Sequence, residues 1–406
     1  MQLTPPSLRA VVLAPFFSLD ATASRPRMAA LALARMMPVD VVTSDFDHAE
    51  KTKRNHRQSP DFNRIVYVRT RPYANNVGVA RLLSHIDFSL RAAAYYFRNR
   101  RQYEIVYATA PLNLLAWIAF SAGRASTKII DVVDIWPDVL PFSPGLRRRY
   151  ALLFKMWKWL FKSSVRKADV VMAVSDEFLR EARQYARATA ELRRFYLGQE
   201  KLTSQVAKQP VFTLAYIGNI GSLYDFTTLL DVLQENDMRS RMQLFIIGAG
   251  DRKDWLLGEL VRRGIRHTYF GIVYDAVRLS EILAGCHVGF NGYANTSAAF
   301  SYKAVSYLAA GLPILNSMNG DLRHLVDEYG LGENYQSEDK LQLRDAILRI
   351  CQNLGDAMAR RCETFFNEQL QADRILHDMA TFLACSVRPR AQSDTAKEVD
   401  ALNEGR

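Results

Sequence analysis

Apolar and polar positions along this chain follow two alternating rhythms. Short runs rich in apolar residues fall at Arg9–Phe16 (around VVLA), Val39–Thr43, Arg64–Arg69, Ile105–Thr109, Lys128–Val133 and Val170–Val174. They predict strands buried on both faces. Between them, apolar residues recur every three or four positions at Arg25–Met37, Val79–Arg98 and Pro111–Gly123, the spacing of helices packed on one side. The strand signal lapses between Tyr196 and Val211 and then restarts at Phe212–Ile217, Met242–Ile247, His267–Gly271, His287–Gly292 and Ile314–Asn316. Phe365–Val387 reads as a terminal helix. Repeated strand–helix order implies parallel sheets covered on both faces. The expected architecture is therefore α/β, with two facing Rossmann-like doubly wound domains and a C-terminal helix. The boundaries read as 1–200 and 201–366, with a helix over 367–388 returning to the first domain. A polar tail without aromatics, 389–406, reads as disordered. Two such sheets would hold a ligand in a cleft between their carboxyl ends.

Composition narrows the function. At 406 residues, 49% of them hydrophobic, the chain is too long for one typical core. No signal peptide is evident, and apolar runs such as Leu114–Phe120 are far too short to span a bilayer. The four cysteines, Cys286, Cys351, Cys362 and Cys385, show neither zinc nor redox spacing and read as reduced buried residues of a cytosolic protein. The net charge of +11 is uneven: residues 1–200 carry 31 Lys and Arg against 17 Asp and Glu, residues 201–406 carry 22 against 25. The first half is thus expected to meet a nucleic acid, a membrane surface or an acidic ligand, unless it is only a solvated basic face. No aromatic stacking platform or basic recognition motif accompanies the charge, which disfavours nucleic acid.

Three stretches carry candidate chemistry. In SYKAVSYLAAGLPIL, Ser301 can cap a helix, Gly311 can close it and Pro313 forbids its continuation. Lys303 then falls in the first turn, where a cation costs roughly 0.3–1 kcal/mol against the helix dipole. An arriving anion removes that penalty. The free amides of Lys303 and Ala304, with one ammonium, suit a diphosphate, and Ser306 lies one turn further on. A lysine snorkelling off a core helix is the plain alternative. In IGNIGSL, Gly218 and Gly221 follow an apolar strand and admit a ligand close to backbone, as does FIIGAG at Phe245–Gly250. No G-x-G-x-x-G fingerprint is present, which argues against a nicotinamide enzyme. In DVVDIWPDVLPF, Asp134 follows a strand where a carboxylate could orient a sugar hydroxyl, or it caps the chain beside Trp136.

Leu146–Lys167 winds into a two-faced helix. Lys155, Lys158, Lys162 and Arg166 share one side, and Leu146, Tyr150, Leu153, Trp157 and Phe161 the other. Lysines beside Trp157 and Trp159 suit the headgroup zone of an anionic membrane, unless the helix packs on its own domain and solvates its lysines.

Across roughly residues 128–335 these motifs together resemble the retaining family-four glycosyltransferases of the GT-B type. DIWPD resembles the family's Asp-aromatic-Trp-Pro-acidic stretch, and KADVVMAVSDEF its Ala-Asp-x-Val strand. YIGNIGSL resembles its Tyr-x-Gly-Asn-x-Gly loop, and YKAVSYLAAGLPILNSMNGDL its Lys-centred donor signature. The resemblance implies a UDP- or GDP-linked sugar as donor substrate, no other cofactor and no metal. Lys303 would bind the donor diphosphate, with Ser301 and Ser306 nearby. Gly218, Asn219 and Gly221 would approach its phosphates or sugar, and Phe270, Gly271, Ile272 and Val273 its base. Asp134 would face the sugar or acceptor. The implied acceptor is a polyprenyl-diphosphate-linked saccharide in surface polysaccharide assembly, handled by a cytoplasmic protein held peripherally at the inner membrane. Two departures stand out: the family's ribose-gripping acid is here Ser306, and its partner acid is Ala298. They leave open a catalytically degenerate scaffold that binds a sugar nucleotide or a partner protein without turnover.

Overall fold

The computed structural model describes residues 8–20, 24–48, 50–74, 78–123, 125–136, 144–294 and 300–387. Ala298, Pro137, Pro141 and the tail expected to be disordered lie outside them. The chain divides into two compact units, one running to Phe195 and resuming at Leu376, the other spanning Tyr196–Ile375.

Unit one is built on β1 (Arg9–Leu13), β2 (Val39–Ser44), β3 (Arg64–Val68), β4 (Tyr103–Ala110), β5 (Thr127–Val132), β6 (Val170–Ala173) and β7 (Glu191–Arg194). They pair in parallel in the order β3-β2-β1-β4-β5-β6-β7, with Ala10 opposite Val39 on one side and Ile105 on the other. The residues of β2 and β4 are buried throughout, the charged Asp40 and Glu104 included. Unit two repeats the winding with β8 (Phe212–Ile217), β9 (Met242–Ile247), β10 (His267–Gly271), β11 (Val288–Asn291), β12 (Ile314–Asn316) and β13 (Gly332–Asn334). Their order is β10-β9-β8-β11-β12-β13. In each sheet the order reverses beside the first strand, and doubly wound sheets bind ligands outside the carboxyl ends at that point.

One cation is committed inside unit one. Arg25 opens the Arg25–Ala34 helix and is 2% exposed. Its Nε and Nη2 donate to Asp131 at 2.7 and 3.0 Å, and its other donors reach the carbonyls of Phe195 and Ala173. The Tyr107 hydroxyl donates to the same carboxylate at 2.7 Å. A single guanidinium thus ties the helix to β5 and to the ends of β6 and β7.

The terminal helix begins later than the sequence pattern indicates. It covers Ala372–Ser386 after a π-helical turn at Phe366–Leu370. Gln371 turns extended there because Gln199 pairs beside it: the Gln199 amide donates to Leu370 and the Ala372 amide to Gln199. From Leu376 onward the helix belongs to unit one, where Phe382 packs against Phe195 at 5.7 Å. Among the described residues, no helix is long and apolar enough to cross a membrane.

Candidate functional site

Three glycine turns meet at the carboxyl edge of unit two. Gly218 ends β8 with φ +120°, and a Cβ there would stand 3.1 Å from Lys303 Cε, so the bare backbone gives the lysine stem its path. Gly248, after β9, has φ +139°, and its Cβ would fall 1.9 Å from the Gly218 carbonyl oxygen. No other residue fits. The Gly248 amide in turn donates to Gly271 at the end of β10, at 2.7 Å. This brings the candidate residues at Phe270–Val273 to the same edge, with Phe270 edge-on to Phe245 and Ile272 exposed. Asn219 is exposed, and Gly221 is buried beside its side-chain amide.

Lys303 sits in the first turn of the Tyr302–Ala309 helix and is only 8% exposed. Its Nζ donates to the Tyr293 hydroxyl at 3.2 Å. The ammonium stands 3.6 Å from the centroid of Tyr224, 4.4 Å from Tyr293 and 5.5 Å from Tyr216. Tyr224 and Tyr293 are held together by an antiparallel bridge, and the Tyr307 hydroxyl pins the helix to the Phe290 carbonyl and the Ile217 amide. Among the described residues no carboxylate pairs with this lysine. Burial pulls its pKa down to about 7, a pull that the three ring faces oppose. The result is a buried cation without an anion.

One of the two serines beside it departs from expectation. Ser301 occupies the N-cap position, but its hydroxyl does not cap; it donates to Asn291 Oδ1 at 2.8 Å. That bond turns the Ser301 side chain toward the end of β11, and the first-turn amides receive no bond from it. Ser306 donates to Gln199 Oε1 at 2.8 Å.

Asp134, in unit one, lies two residues past β5. Its carboxylate accepts from the Trp136 indole at 2.7 Å and from the Ile135 amide at 3.0 Å, and burial raises its pKa. The lysine-rich helix divides into Pro144–Arg149 and Ala151–Lys167. Lys155, Lys158, Lys162 and Arg166 are exposed, as is Trp159 at 53%. Trp157 is corrected: it is 7% exposed and faces its own domain with Leu160, Phe161 and Val165. The helix has two apolar stripes, and only one faces out. That outer stripe is Leu152, Met156 and Trp159, all at least half exposed.

The tyrosines around Lys303 escape a sequence reading because Tyr293 lies far along the chain from Tyr216 and Tyr224, which flank the glycine loop. No protein-family model and no curated protein matches the sequence. Solved structures do. Sucrose-phosphate synthase from Thermosynechococcus elongatus aligns over 93% of this chain and 98% of its own, with 15% identity and a TM-score of 0.69. HepE from Anabaena, in complex with UDP, aligns over 93% and 100% with 15% identity and a TM-score of 0.65. WaaG, a glycosyltransferase involved in lipopolysaccharide biosynthesis, aligns over 92% and 99% with 13% identity and a TM-score of 0.64. The chain has the GT-B fold. In GT-B terms, Lys303 and the glycine turns occupy the carboxyl edge of the second doubly wound unit, at the switch between β8 and β11.

Proposed function

We propose that this GT-B protein is a glycosyltransferase that takes a sugar from a nucleotide-sugar donor and passes it to a lipid-linked saccharide. The observation that carries the reading is Lys303, a buried cation in a helix's first turn whose neighbours are rings rather than carboxylates. A donor diphosphate supplies the missing anion, and the uncapped first-turn amides complete its cradle. In the reaction, the bond from the anomeric carbon to the diphosphate oxygen breaks and a bond to an acceptor hydroxyl oxygen forms. The acceptor's proton leaves with the diphosphate. Lys303 and the amides stabilise the charge that develops on that leaving group, with retention of configuration as the expected outcome. The direct test is calorimetry with UDP and GDP, followed by transfer or hydrolysis assays with labelled nucleotide sugars. Binding by either nucleotide that disappears in Lys303→Ala supports the reading; no binding by either overturns it. The Ser306–Gln199 pair, in place of an acid, favours the second reading, a binding scaffold without turnover. Nucleotide binding with no release of labelled sugar would establish that one.

The pH dependence of donor binding follows from the ammonium. With a pKa of about 7 in the free protein, Lys303 is charged below that pH and loses its proton above it. The charged form binds, so binding above pH 7 must also take up a proton. UDP-glucose, whose diphosphate diester does not titrate there, is expected to bind with constant affinity below pH 6. Above pH 7 its dissociation constant should rise roughly tenfold per pH unit. A flat profile from pH 6 to 9 contradicts the assignment.

We also place the protein in the cytoplasm, peripherally on the inner membrane. Leu152, Met156 and Trp159 stand beside the exposed Lys155, Lys158, Lys162 and Arg166, which suits an anionic leaflet. Each cation near such a surface contributes about 1 kcal/mol. Replacing Lys155 and Lys158 by glutamine should therefore weaken sedimentation with phosphatidylglycerol vesicles by about thirtyfold at low salt. Unchanged partitioning in that variant, or none in the parent protein, rules the surface out.

A further inference from the structure

Three asparagines form a row across the second sheet, each the last residue of its strand. Asn291 of β11 stands opposite Asn316 of β12, and Asn316 opposite Asn334 of β13. The first two are 1% and 0% exposed. Strands are poor in asparagine, and a buried amide must find partners for its donors and its acceptor. Asn316 finds them all. Its Nδ2 donates to Asn334 Oδ1 at 2.7 Å and to the Met318 carbonyl at 2.9 Å. Its Oδ1 accepts from Asn291 Nδ2 at 2.8 Å and from the Met318 amide at 3.2 Å. A backbone amide only donates and a carbonyl only accepts, so Met318 fixes which way round the Asn316 side chain lies. Asn291 must then give its amino group to Asn316 and keep its oxygen for Ser301.

That oxygen takes the single proton of the Ser301 hydroxyl, at 2.8 Å. The Tyr293 hydroxyl, 3.5 Å from Ser301 Oγ, is left to donate to it, and the Tyr293 oxygen accepts from Lys303 Nζ at 3.2 Å. Every bond from Lys303 through to Asn334 thus runs in one direction. The helix start is changed by this. Ser301 has the residue type and the extended backbone of an N-cap, φ −121° and ψ 123°. Ser175, Asp275 and Asp339 hold the same position with extended backbone, and each accepts from the third amide of its helix. The matching amide for Ser301 is that of Ala304, one of those that the donor diphosphate would use.

We propose that Asn291 is a positioning residue for the donor: held by Asn316, it draws the Ser301 hydroxyl off the helix start and keeps the first-turn amides open for a diphosphate. The inference rests on the transferase reading of Lys303 and adds the residue that prepares its cradle. Asn291→Ala releases the hydroxyl, which is then expected to cap the helix. Hydrogen exchange on the nucleotide-free full chain should show the Ala304 amide better protected than in the parent. A diphosphate must now displace the cap, so calorimetry should show the dissociation constant for UDP raised about fivefold. Adding Ser301→Ala removes the new cap and should undo most of both changes. A residue that only supported the fold would give the reverse, with the second substitution deepening the loss of binding. Asn291→Val, which fills the space with a strand-forming side chain, supplies the same comparison if the alanine variant does not fold. Parental UDP affinity in Asn291→Ala, or a loss that Ser301→Ala does not relieve, overturns the proposal. Lys303→Ala is titrated alongside. If it binds UDP as the parent does, the donor reading fails and takes this inference with it; if it loses UDP while Asn291→Ala does not, this inference fails alone.

Discussion

Replacing Lys303 by methionine is expected to weaken nucleotide binding and at the same time make unit two more stable. The first effect is the loss of a charge-assisted contact, about 1.5–3 kcal/mol, or roughly 10–150-fold in the dissociation constant for UDP. The second follows from the lowered pKa. A lysine that titrates near 10.5 in the unfolded chain and near 7 in the fold disfavours folding at every pH below its unfolded value. That cost grows as the pH falls from about 10 to 7 and is constant below, at about 1.4 kcal/mol per pKa unit less whatever the rings return. Methionine keeps the apolar stem and removes the charge. Its advantage should therefore be largest at pH 7 and fade toward pH 10. Thermal unfolding at both pH values, with UDP calorimetry at pH 7, checks it. A variant that melts earlier than the parent at pH 7, yet still binds UDP, shows that the lysine serves the fold and not a ligand.

What the sequence discloses depends on where each element is buried. Four strands of unit two, β8, β9, β10 and β12, run over the residues that their apolar patterns indicate. Two of the four edge strands, β7 of unit one with ELRR and β13 of unit two with GEN, give no such signal. Each has a neighbour on one side only, and charged residues at an edge oppose pairing with other chains. Lys303 is legible because the helix dipole makes a first-turn cation anomalous. Its burial, and the want of a carboxylate near it, are properties of the folded chain alone. The same holds for Trp157 and Trp159, two residues apart on a helix with two apolar stripes; periodicity shows both stripes but not which one the sheet claims. Asn291 and Asn334 belong to no motif. They flank Asn316 because β11, β12 and β13 pair in register, which only the winding of the sheet determines.

Arg25 to methionine should have the opposite sign. Arg25 also stands in the first turn of a helix, yet its charge is answered inside the chain by Asp131, which is fully buried and bonded by Tyr107 as well. Removing one member of such a pair leaves the other charged and dry, a loss of about 3–5 kcal/mol. Four of the five tryptophans, all but Trp255, lie in unit one, so urea unfolding followed by tryptophan fluorescence reports on it. Adding Asp131→Asn to Arg25→Met should recover much of the loss, because the stranded charge is then gone. A single variant within about 1 kcal/mol of the parent would mean that Asp131 finds water or another donor. Two cations thus stand in the first turn of a helix and give opposite mutational signs. The one with a carboxylate beside it completes the fold, and the one without waits for an anion that the chain does not contain.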